Sequence, residues 1–327
     1  MTMPKLAGLA ALLIVLFAVS ACDTSTQHDN LGPAGKGSYS TRRVDFDDLR
    51  DGSRSRDVPT SVYAPKSGGP FPLVVLSHGL GGDRSHYTYL AEHLASHGYV
   101  VAVPEHVGSS SRLDVLELAA ALYDPDELRD RTRDVSFVID KAEDWNLTHP
   151  RLTGLIDLDH VGVTGHSYGG GTAQAIGGAQ QDLSGGFRDL SDPRVDCIVP
   201  MAAGAAEGFL GLNPWFSEQS FETVSVPVMH LAGGDDDWRQ KKSSHDAMPK
   251  GDKFFAVLER VGHLDFTNAD DEDTKKGRAN IMIRALCVAF FDCYLKGDAS
   301  SGDKYLEANY TDKLTTWQVP DVRWYKK

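Results

Sequence analysis

A glycine-flanked serine is the residue of this chain best placed for nucleophilic chemistry. The stretch Gly165-His166-Ser167-Tyr168-Gly169 follows a β-rich run, HVGVTG, and precedes a helix-compatible run, GTAQAIGGAQ. A strand, a sharp turn and a helix in that order lift a serine hydroxyl above the edge of a sheet. Small neighbours are needed because the turn brings backbone segments close together. The pattern therefore predicts that Ser167 is a nucleophile.

A serine hydroxyl needs a general base and an acid that orients the base. In this architecture they follow in the order serine, acid, histidine, each after a later strand. The run FFAVLERVGHLDF places His263 at a strand end, and the run PVMHLAGGDDDW ends with three consecutive acids. The G-x-x-D spacing from the first glycine of GGDDD favours Asp236. Asp237, which has the same spacing from the second glycine, is the second candidate for this acid, and Asp235 is the third.

Two main-chain N–H groups complete the expected chemistry. The oxyanion that forms at an attacked carbonyl needs donors, one directly after the nucleophile and one in the loop after an early strand. The sequence assigns these donors to the N–H groups of Tyr168 and Leu80, the second within the run His78-Gly79-Leu80-Gly81-Gly82. The imidazole of His78 is expected to support this loop rather than to react.

Alternating strand and helix patterns supply the frame for these residues. Several apolar runs are continuous, which is typical of a parallel sheet covered on both faces. Helical periodicity appears at 87–98, at 128–145 with Asp124 as N-cap, and at 281–295. Strands are predicted at 61–65, 72–78, 99–105, 160–165, 196–202, 227–233 and 254–260. The order predicts one α/β domain with a doubly wound, mostly parallel sheet and helices on both faces.

Two segments interrupt this alternation. Residues 107–127 and 204–225 follow strand ends, where active-site loops lie in such sheets. The second segment is rich in aromatic and aliphatic side chains, which are expected to form an apolar wall or lid over a pocket. A loop folded onto its own small core is the alternative. The side chains assigned to the wall are Phe209, Leu212, Trp215 and Phe216.

The first residues predict export. Lys5 precedes the apolar run LAGLAALLIVLFAV, which at 14 residues is shorter than a membrane-spanning helix. The following V-S-A-C resembles the lipobox of bacterial lipoproteins, so Cys22 is expected to carry a lipid; an ordinary signal peptide is the alternative. The predicted organisation is a signal peptide at 1–21, a lipid-anchored polar tether at 22–40 and a single domain at 41–327. The expected location is the periplasmic or extracellular face of the cell membrane, and both the inner and the outer membrane fit the sequence.

Charge and cysteine content bear on partners. The net charge of −13 with no long basic run argues against nucleic acid, which is bound by clustered Lys and Arg. The chain has no CxxC or HExxH spacing, so neither a metal nor a cofactor is predicted. Cys197 could form a disulfide with Cys287 or Cys293 in an exported protein, or the three could be buried thiols. The oligomeric state is left open.

Five stretches, taken in order, resemble the α/β-hydrolases: FPLVVLSHGLGG, LASHGYVVAVPEH, ELRDRTRDVSFVID, GHSYGGGTA and VGHLDF. The resemblance is greatest to plasma-type platelet-activating-factor acetylhydrolases and to bacterial dienelactone-hydrolase-like proteins. It implies that 41–327 is an α/β-hydrolase domain. It also implies a lipase-like serine esterase, independent of metal and calcium, that acts on short or oxidised acyl esters of lipids.

One position departs from the acetylhydrolase pattern. The eukaryotic acetylhydrolases place the acid after the preceding strand, which here reads CIVPMAAG and carries no carboxylate. The GGDDD turn is where bacterial esterases, cutinases and polyester hydrolases have it. A polyester, cutin-like or lactone hydrolase is therefore an alternative. An inactive envelope-binding lipoprotein on a hydrolase fold is an alternative of another class.

Overall fold

A single large sheet forms the centre of the molecule. The computed structural model describes residues 32–204, 215–301, 306 and 321–327. The strands of the sheet are β1 Thr41–Phe46, β2 Thr60–Pro65, β3 Phe71–Ser77, β4 Val100–Pro104, β5 Ile156–His166, β6 Val195–Met201, β7 Val228–Gly233, β8 Lys253–Leu258 and β9 Val322–Lys326. Their order across the sheet is β1-β2-β4-β3-β5-β6-β7-β8-β9.

The pairing of the strands identifies the fold. The neighbours from β4 through β8 run parallel, whereas β1, β2 and β9 pair antiparallel with theirs. This order and pairing are those of the α/β-hydrolase fold, so the predicted fold class is confirmed. Every predicted strand is present. The edge strands β1 and β9 were not predicted.

Helices cover both faces of the sheet. They are α1 Thr88–Ser96, α2 Val115–Leu122, α3 Pro125–Thr148, α4 Tyr168–Ile176, α5 Trp238–Ala247 and α6 Lys275–Leu295. Along β3, Val74 and Leu76 pack in one core with α1 and α6, while Leu73 and Val75 pack in a second core with α3 and α4. Because both sides of a central strand are buried, its sequence is continuously apolar instead of alternating.

The longest helix begins where its capping residues predict. The carboxylate of Asp124 accepts a hydrogen bond from the N–H of Asp126 at 2.9 Å, and Pro125 occupies the first turn, where its missing N–H costs nothing. The apolar stripe of α3, which includes Leu128 and Val135, faces the sheet and is fully buried.

Cys197, Cys287 and Cys293 form no disulfide in the described part of the chain. Cys197 on β6 and Cys287 on α6 are buried thiols, as the second alternative expects, whereas Cys293 is half-buried. Of the helices in the described ranges, none combines the length and the apolarity needed to cross a membrane.

Candidate active site

Ser167 lies at the sharp turn between β5 and α4. Its φ of 55° and ψ of −120° fall in a region that residues with a side chain rarely adopt, and such strain is concentrated at functional sites. The turn needs glycine on both sides. A Cβ on Gly165 would overlap the carbonyl oxygen of Gly169, and a Cβ on Gly169 would overlap that of Ser77. The side chain of Ser167 is partly exposed, although its neighbours in β5 and α4 are buried.

The structure brings Ser167, His263 and Asp236 into one hydrogen-bond chain. Ser167 Oγ lies 2.9 Å from Nε2 of His263, and Nδ1 of the same ring lies 2.9 Å from Oδ2 of Asp236. Because a carboxylate only accepts, Nδ1 carries the ring proton, and Nε2 of the neutral ring accepts from the serine hydroxyl. This is the arrangement in which an imidazole can remove the serine proton as the oxygen attacks an electrophile.

Of the three consecutive acids, Asp236 is the one that reaches the histidine. Its side chain is only 2% exposed, whereas Asp235 and Asp237 point to solvent. Asp235 pairs with Lys275 at 3.2 Å. The turn after β7, closed by a hydrogen bond from the N–H of Asp236 to the oxygen of Gly233 at 3.1 Å, directs the middle side chain inward.

Asp236 has a second hydrogen-bond partner, a charged one, that the sequence did not suggest. The ammonium of Lys241, on α5, donates to the other carboxylate oxygen, Oδ1, at 2.9 Å. Burial opposes ionisation of Asp236, but the hydrogen bonds from His263 and Lys241 outweigh burial and hold the pKa of the carboxyl below its ordinary value. Asp236 is therefore ionised at neutral pH.

The loop after β3 runs beside the serine. A Cβ on Gly79 would lie 3.4 Å from Cβ of Ser167, so the loop and the elbow are in contact. Hydrogen bonds from Gly81 to Ser109 and from Gly82 to Gly79, at 2.9 and 3.0 Å, fix its course. Within the described ranges, the N–H groups of Leu80 and Tyr168 donate to no protein acceptor. Two main-chain donors next to Ser167 are what an oxyanion developing at this serine would require.

His166, the residue before the serine, connects the loop after β3 to the segment that carries His263. Its Nε2 donates to the carbonyl oxygen of His263 at 2.8 Å, so its Nδ1 accepts from the hydroxyl of Tyr87 at 2.9 Å. The Tyr87 oxygen in turn accepts from the N–H of Gly79 at 3.2 Å. Burial lowers the pKa of His166 to about 3, so the ring stays neutral and this polarity is fixed.

A fully buried arginine supports the elbow from behind. The guanidinium of Arg131 donates to Thr172 Oγ1 at 3.0 Å and to Ser109 Oγ at 2.7 Å, and it also donates to the carbonyl oxygen of His78. Its carbon lies 4.8 Å from the centre of the Tyr168 ring. One side chain of α3 thus ties together the loop after β3, the loop after β4 and the start of α4.

His78 supports the loop, as the sequence led us to expect. Its Nε2 accepts from the N–H of His106 at 2.9 Å, so Nδ1 carries the proton and donates to the oxygen of Gly79 at 2.7 Å. Burial, aided by the charge of Arg131, lowers the pKa of His78 well below its ordinary value. The neutral tautomer that makes these two bonds is therefore the stable one.

The residues assigned to an apolar wall have separate locations. Trp215 donates from its indole N–H to the carbonyl oxygen of Leu122 at 3.0 Å, at the end of α2. Phe216 is 1% exposed and packs against Phe221 in the core, with ring centres 5.4 Å apart. Phe209 and Leu212 lie outside the described residues, as does Cys22. The wall therefore stays a prediction.

Three side chains of the site were missed. Tyr87 and His166 had weak local signals, since His166 occupies the variable position of G-x-S-x-G and Tyr87 opens an amphipathic helix. Lys241 had none, because it stands beside a second lysine in a polar helix. In the described part of the chain, no three His, Cys, Asp or Glu side chains are grouped to hold a metal ion.

Comparison with known proteins relates this geometry to ester hydrolases. A family model described as platelet-activating factor acetylhydrolase, isoform II, matches residues 52–121. The chain is 31% identical to a platelet-activating factor acetylhydrolase of Cavia porcellus over 35% of its own length and 34% of that protein. It is 25% identical to cutinase est1 of Thermobifida alba over 62% of its length and 57% of the cutinase. It is 27% identical to chlorophyllase-1, chloroplastic, of Citrus unshiu over 43% of its own length and 39% of the chlorophyllase.

These similarities cover only parts of the relatives. The matched segments span between 34% and 57% of the proteins just named. The acetylhydrolase family match includes β3 and the loop after it, and the cutinase match covers the larger share of the chain. The resemblance expected from the sequence is thereby confirmed: the chain has an α/β-hydrolase fold and is similar to platelet-activating factor acetylhydrolases and cutinases.

Proposed function

We propose that this protein is a serine carboxylic-ester hydrolase in which Ser167 is the nucleophile, His263 the general base and Asp236 the residue that orients it. The observation that carries the proposal is the hydrogen-bond chain from Ser167 through His263 to Asp236 at the strained turn after β5. The N–H groups of Leu80 and Tyr168 are assigned to the oxyanion. The similarity to acetylhydrolases, cutinases and a chlorophyllase supports the same class of reaction.

The reaction follows from the proton positions. Ser167 Oγ attacks the ester carbonyl while its proton moves to Nε2 of His263, and the Asp236 carboxylate stabilises the resulting imidazolium. Collapse of the tetrahedral intermediate breaks the bond to the alcohol, which leaves with the proton from His263. Water then attacks the acyl carbonyl while one of its protons moves to Nε2 of His263. The bond between the acyl carbon and Ser167 Oγ breaks, the carboxylic acid leaves, and His263 returns the proton to Oγ, which restores the serine hydroxyl.

The favoured substrates are short or oxidised acyl esters of lipids. Apolar side chains near the serine support an acyl group: Leu264, the residue after His263, is 70% exposed. Helix α2 lies against the loop after β3 through Leu118 and Gly81, and it exposes Val115 and Leu116. A lipid on Cys22 at the outer face of the cell membrane would hold the enzyme next to amphiphilic esters of this kind.

Replacing the nucleophile tests the proposal. Ser167→Ala should abolish turnover of p-nitrophenyl acetate and butyrate, a loss of at least about a thousandfold, with an unchanged far-ultraviolet circular dichroism spectrum. The matched control is Ser111→Ala, a nearby exposed serine whose hydroxyl contacts Asp83. A wild-type protein that neither turns over these esters nor reacts with a fluorophosphonate would instead indicate an inactive binding protein.

A polyester or cutin-like polymer is the second candidate substrate. It is favoured by the position of Asp236 after β7 and by the larger share of the chain that matches a cutinase. Activity on p-nitrophenyl esters of increasing chain length and on a polyester film separates the two substrates. Release of soluble products from the film, at a rate comparable with the best soluble ester, would favour the polymer.

A further inference from the structure

A buried lysine beside the Ser167–His263–Asp236 chain has no part in the proposed reaction. The side chains of Lys241 and Asp236 are each only 2% exposed, and Nζ donates to Oδ1 at 2.9 Å. The other carboxylate oxygen faces His263, so Asp236 is held from both sides by charged or chargeable groups. A buried ion pair adds little net stability, because removing both charges from water costs about as much free energy as their attraction returns, so stability alone does not account for this contact.

The aliphatic part of the Lys241 side chain is closely packed. Gly204, in the segment after β6, packs on the aliphatic part of Lys241, and a Cβ there would lie 2.9 Å from Cγ of the lysine. The next residue, Lys242, shows what a surface lysine of the same helix does. It pairs with the exposed carboxylate of Asp246 at 2.6 Å, one helical turn on. The two lysines therefore have different roles although they are adjacent in sequence.

We propose that Lys241 is a positioning residue that locks the Asp236 carboxylate towards His263 and opposes the build-up of positive charge on that imidazole. This inference rests on the proposed esterase function. With Oδ1 bonded to the ammonium, the carboxylate cannot rotate away, and Oδ2 stays aimed at Nδ1 of His263. The lysine also cancels much of the negative charge that Asp236 would otherwise present to the base.

The effect of Lys241 on the charge of His263 predicts the direction in which the pH profile of activity should shift when the lysine is replaced. The buried titratable groups that interact with Asp236 include Lys241 on α5, His166 at the end of β5 and His230 on β7, besides His263 on the segment after β8. At the surface, Lys275 pairs with both Asp235 and Asp265, which balances its charge. Burial lowers the pKa of His166 and of His230 to about 3, so both are neutral near pH 6. Lys241 is then the cation of this group that disfavours a proton on the base. When the charge of Lys241 is removed, the loss of activity on acidification should therefore begin at a higher pH.

The test compares pH profiles of kcat/KM for the wild type, Lys241→Met and Lys241→Gln, with p-nitrophenyl butyrate as substrate. A fluorophosphonate titration counts active sites in each preparation, so misfolded protein does not enter the rates. Both variants should shift the acid limb upward by about one pH unit. The plateau value of kcat should fall roughly tenfold with little change in KM, because the base is less well held.

Lys253→Met is the matched control. Lys253 is also 2% exposed, but it lies at the start of β8, at the far end of the sheet from His263, and its ammonium contacts the carbonyl oxygen of Ser225 at 3.4 Å. Its removal should lower stability without moving the acid limb. An acid limb that stays within about 0.2 pH unit of the wild type in both Lys241 variants would overturn the inference. An inactive, unlabelled wild type would overturn the proposed function and this inference with it.

Discussion

Buried histidines should make this fold unusually sensitive to mild acid. Five of them, in the described chain, are less than a tenth exposed and have a pKa that burial lowers far below the ordinary value: His78, His93, His106, His166 and His230. For His166 and His230 the lowered value is about 3. Each ring is neutral when folded but takes up a proton when the chain unfolds below about pH 6.5. The stability they provide is complete above that pH and is lost as the pH falls.

The size of the effect follows from proton linkage. Between pH 7 and pH 5.5, each such histidine lowers the free energy of unfolding by about 1.2 kcal/mol, or roughly 6 kcal/mol for five. Two buried carboxyls, Glu127 and Asp134, oppose this, because burial raises their pKa and they take up protons in the folded state. The five histidines outnumber these two carboxyls, so a net loss of several kcal/mol remains, which is comparable with the whole stability of a typical domain.

Urea denaturation at several pH values between 7 and 5.5, followed by tryptophan fluorescence, measures this loss. His93→Gln keeps a donor for the carbonyl oxygen of Pro33, which His93 contacts at 2.8 Å, but removes one titrating ring. The pH-dependent loss should shrink by about 1.2 kcal/mol in this variant. His160→Gln is the control, because that ring lies half-exposed at the surface, where it contacts Asp157 at 2.9 Å, instead of in the core. A wild-type loss below about 1 kcal/mol would refute the reasoning.

Two further predictions concern the loop after β3 and the chain terminus. Tyr87→Phe leaves the N–H of Gly79 and Nδ1 of His166 without their shared hydroxyl, so unfolding should become easier by about 1–3 kcal/mol and kcat should fall about tenfold. Tyr99→Phe, which loses a bond to Asp292 far from Ser167, should lower stability alone; equal kcat in the two variants would contradict the role given to Tyr87. Cys22→Ser should abolish incorporation of labelled palmitate and move the protein from the membrane fraction to the soluble fraction. Unchanged membrane association and labelling would exclude Cys22 as the anchor.

The sequence was informative where chemistry depends on position along the chain. Strand ends can be recognised from local sequence, and the carboxyl ends of parallel strands meet at one edge of the sheet. The sequence alone therefore predicts that Ser167, Asp236 and His263 lie close together. The choice among three adjacent aspartates also followed from local turn spacing. These inferences needed only the order of the elements and the geometry of a turn.

Contacts between distant elements could not be inferred in the same way. Lys241 lies on the side of α5 that packs against the segment after β6, whereas Lys242 lies on the exposed side. Which side of a polar helix packs inward depends on its tertiary contacts, so the local sequence does not predict it. The edge strand β9 pairs with β8 across more than sixty residues of chain, and its sequence, VRWYK, has no continuous apolar run. The buried bonds of Arg131 lie in an ordinary amphipathic helix whose charged residues the pattern assigns to solvent.

A second Ser–His–Asp chain in the same molecule shows, by contrast, what favours the first one as the proposed catalytic chain. Ser77 Oγ lies 2.9 Å from Nε2 of His106, and Nδ1 of that ring lies 2.9 Å from Oδ2 of Asp134, the same distances as at Ser167.

The differences lie in the surroundings. All three residues of the second chain are fully buried, and the Ser77 oxygen also accepts from Arg131 at 3.1 Å, so a carbonyl carbon has no approach to it. Ser167 instead stands partly exposed on a strained turn, with two main-chain donors beside it. Hydrogen-bond geometry alone therefore does not define a nucleophile. A nucleophile also needs access for the substrate and donors for the oxyanion. Of these two chains, only the one at Ser167 is open to solvent, which supports its proposed catalytic role.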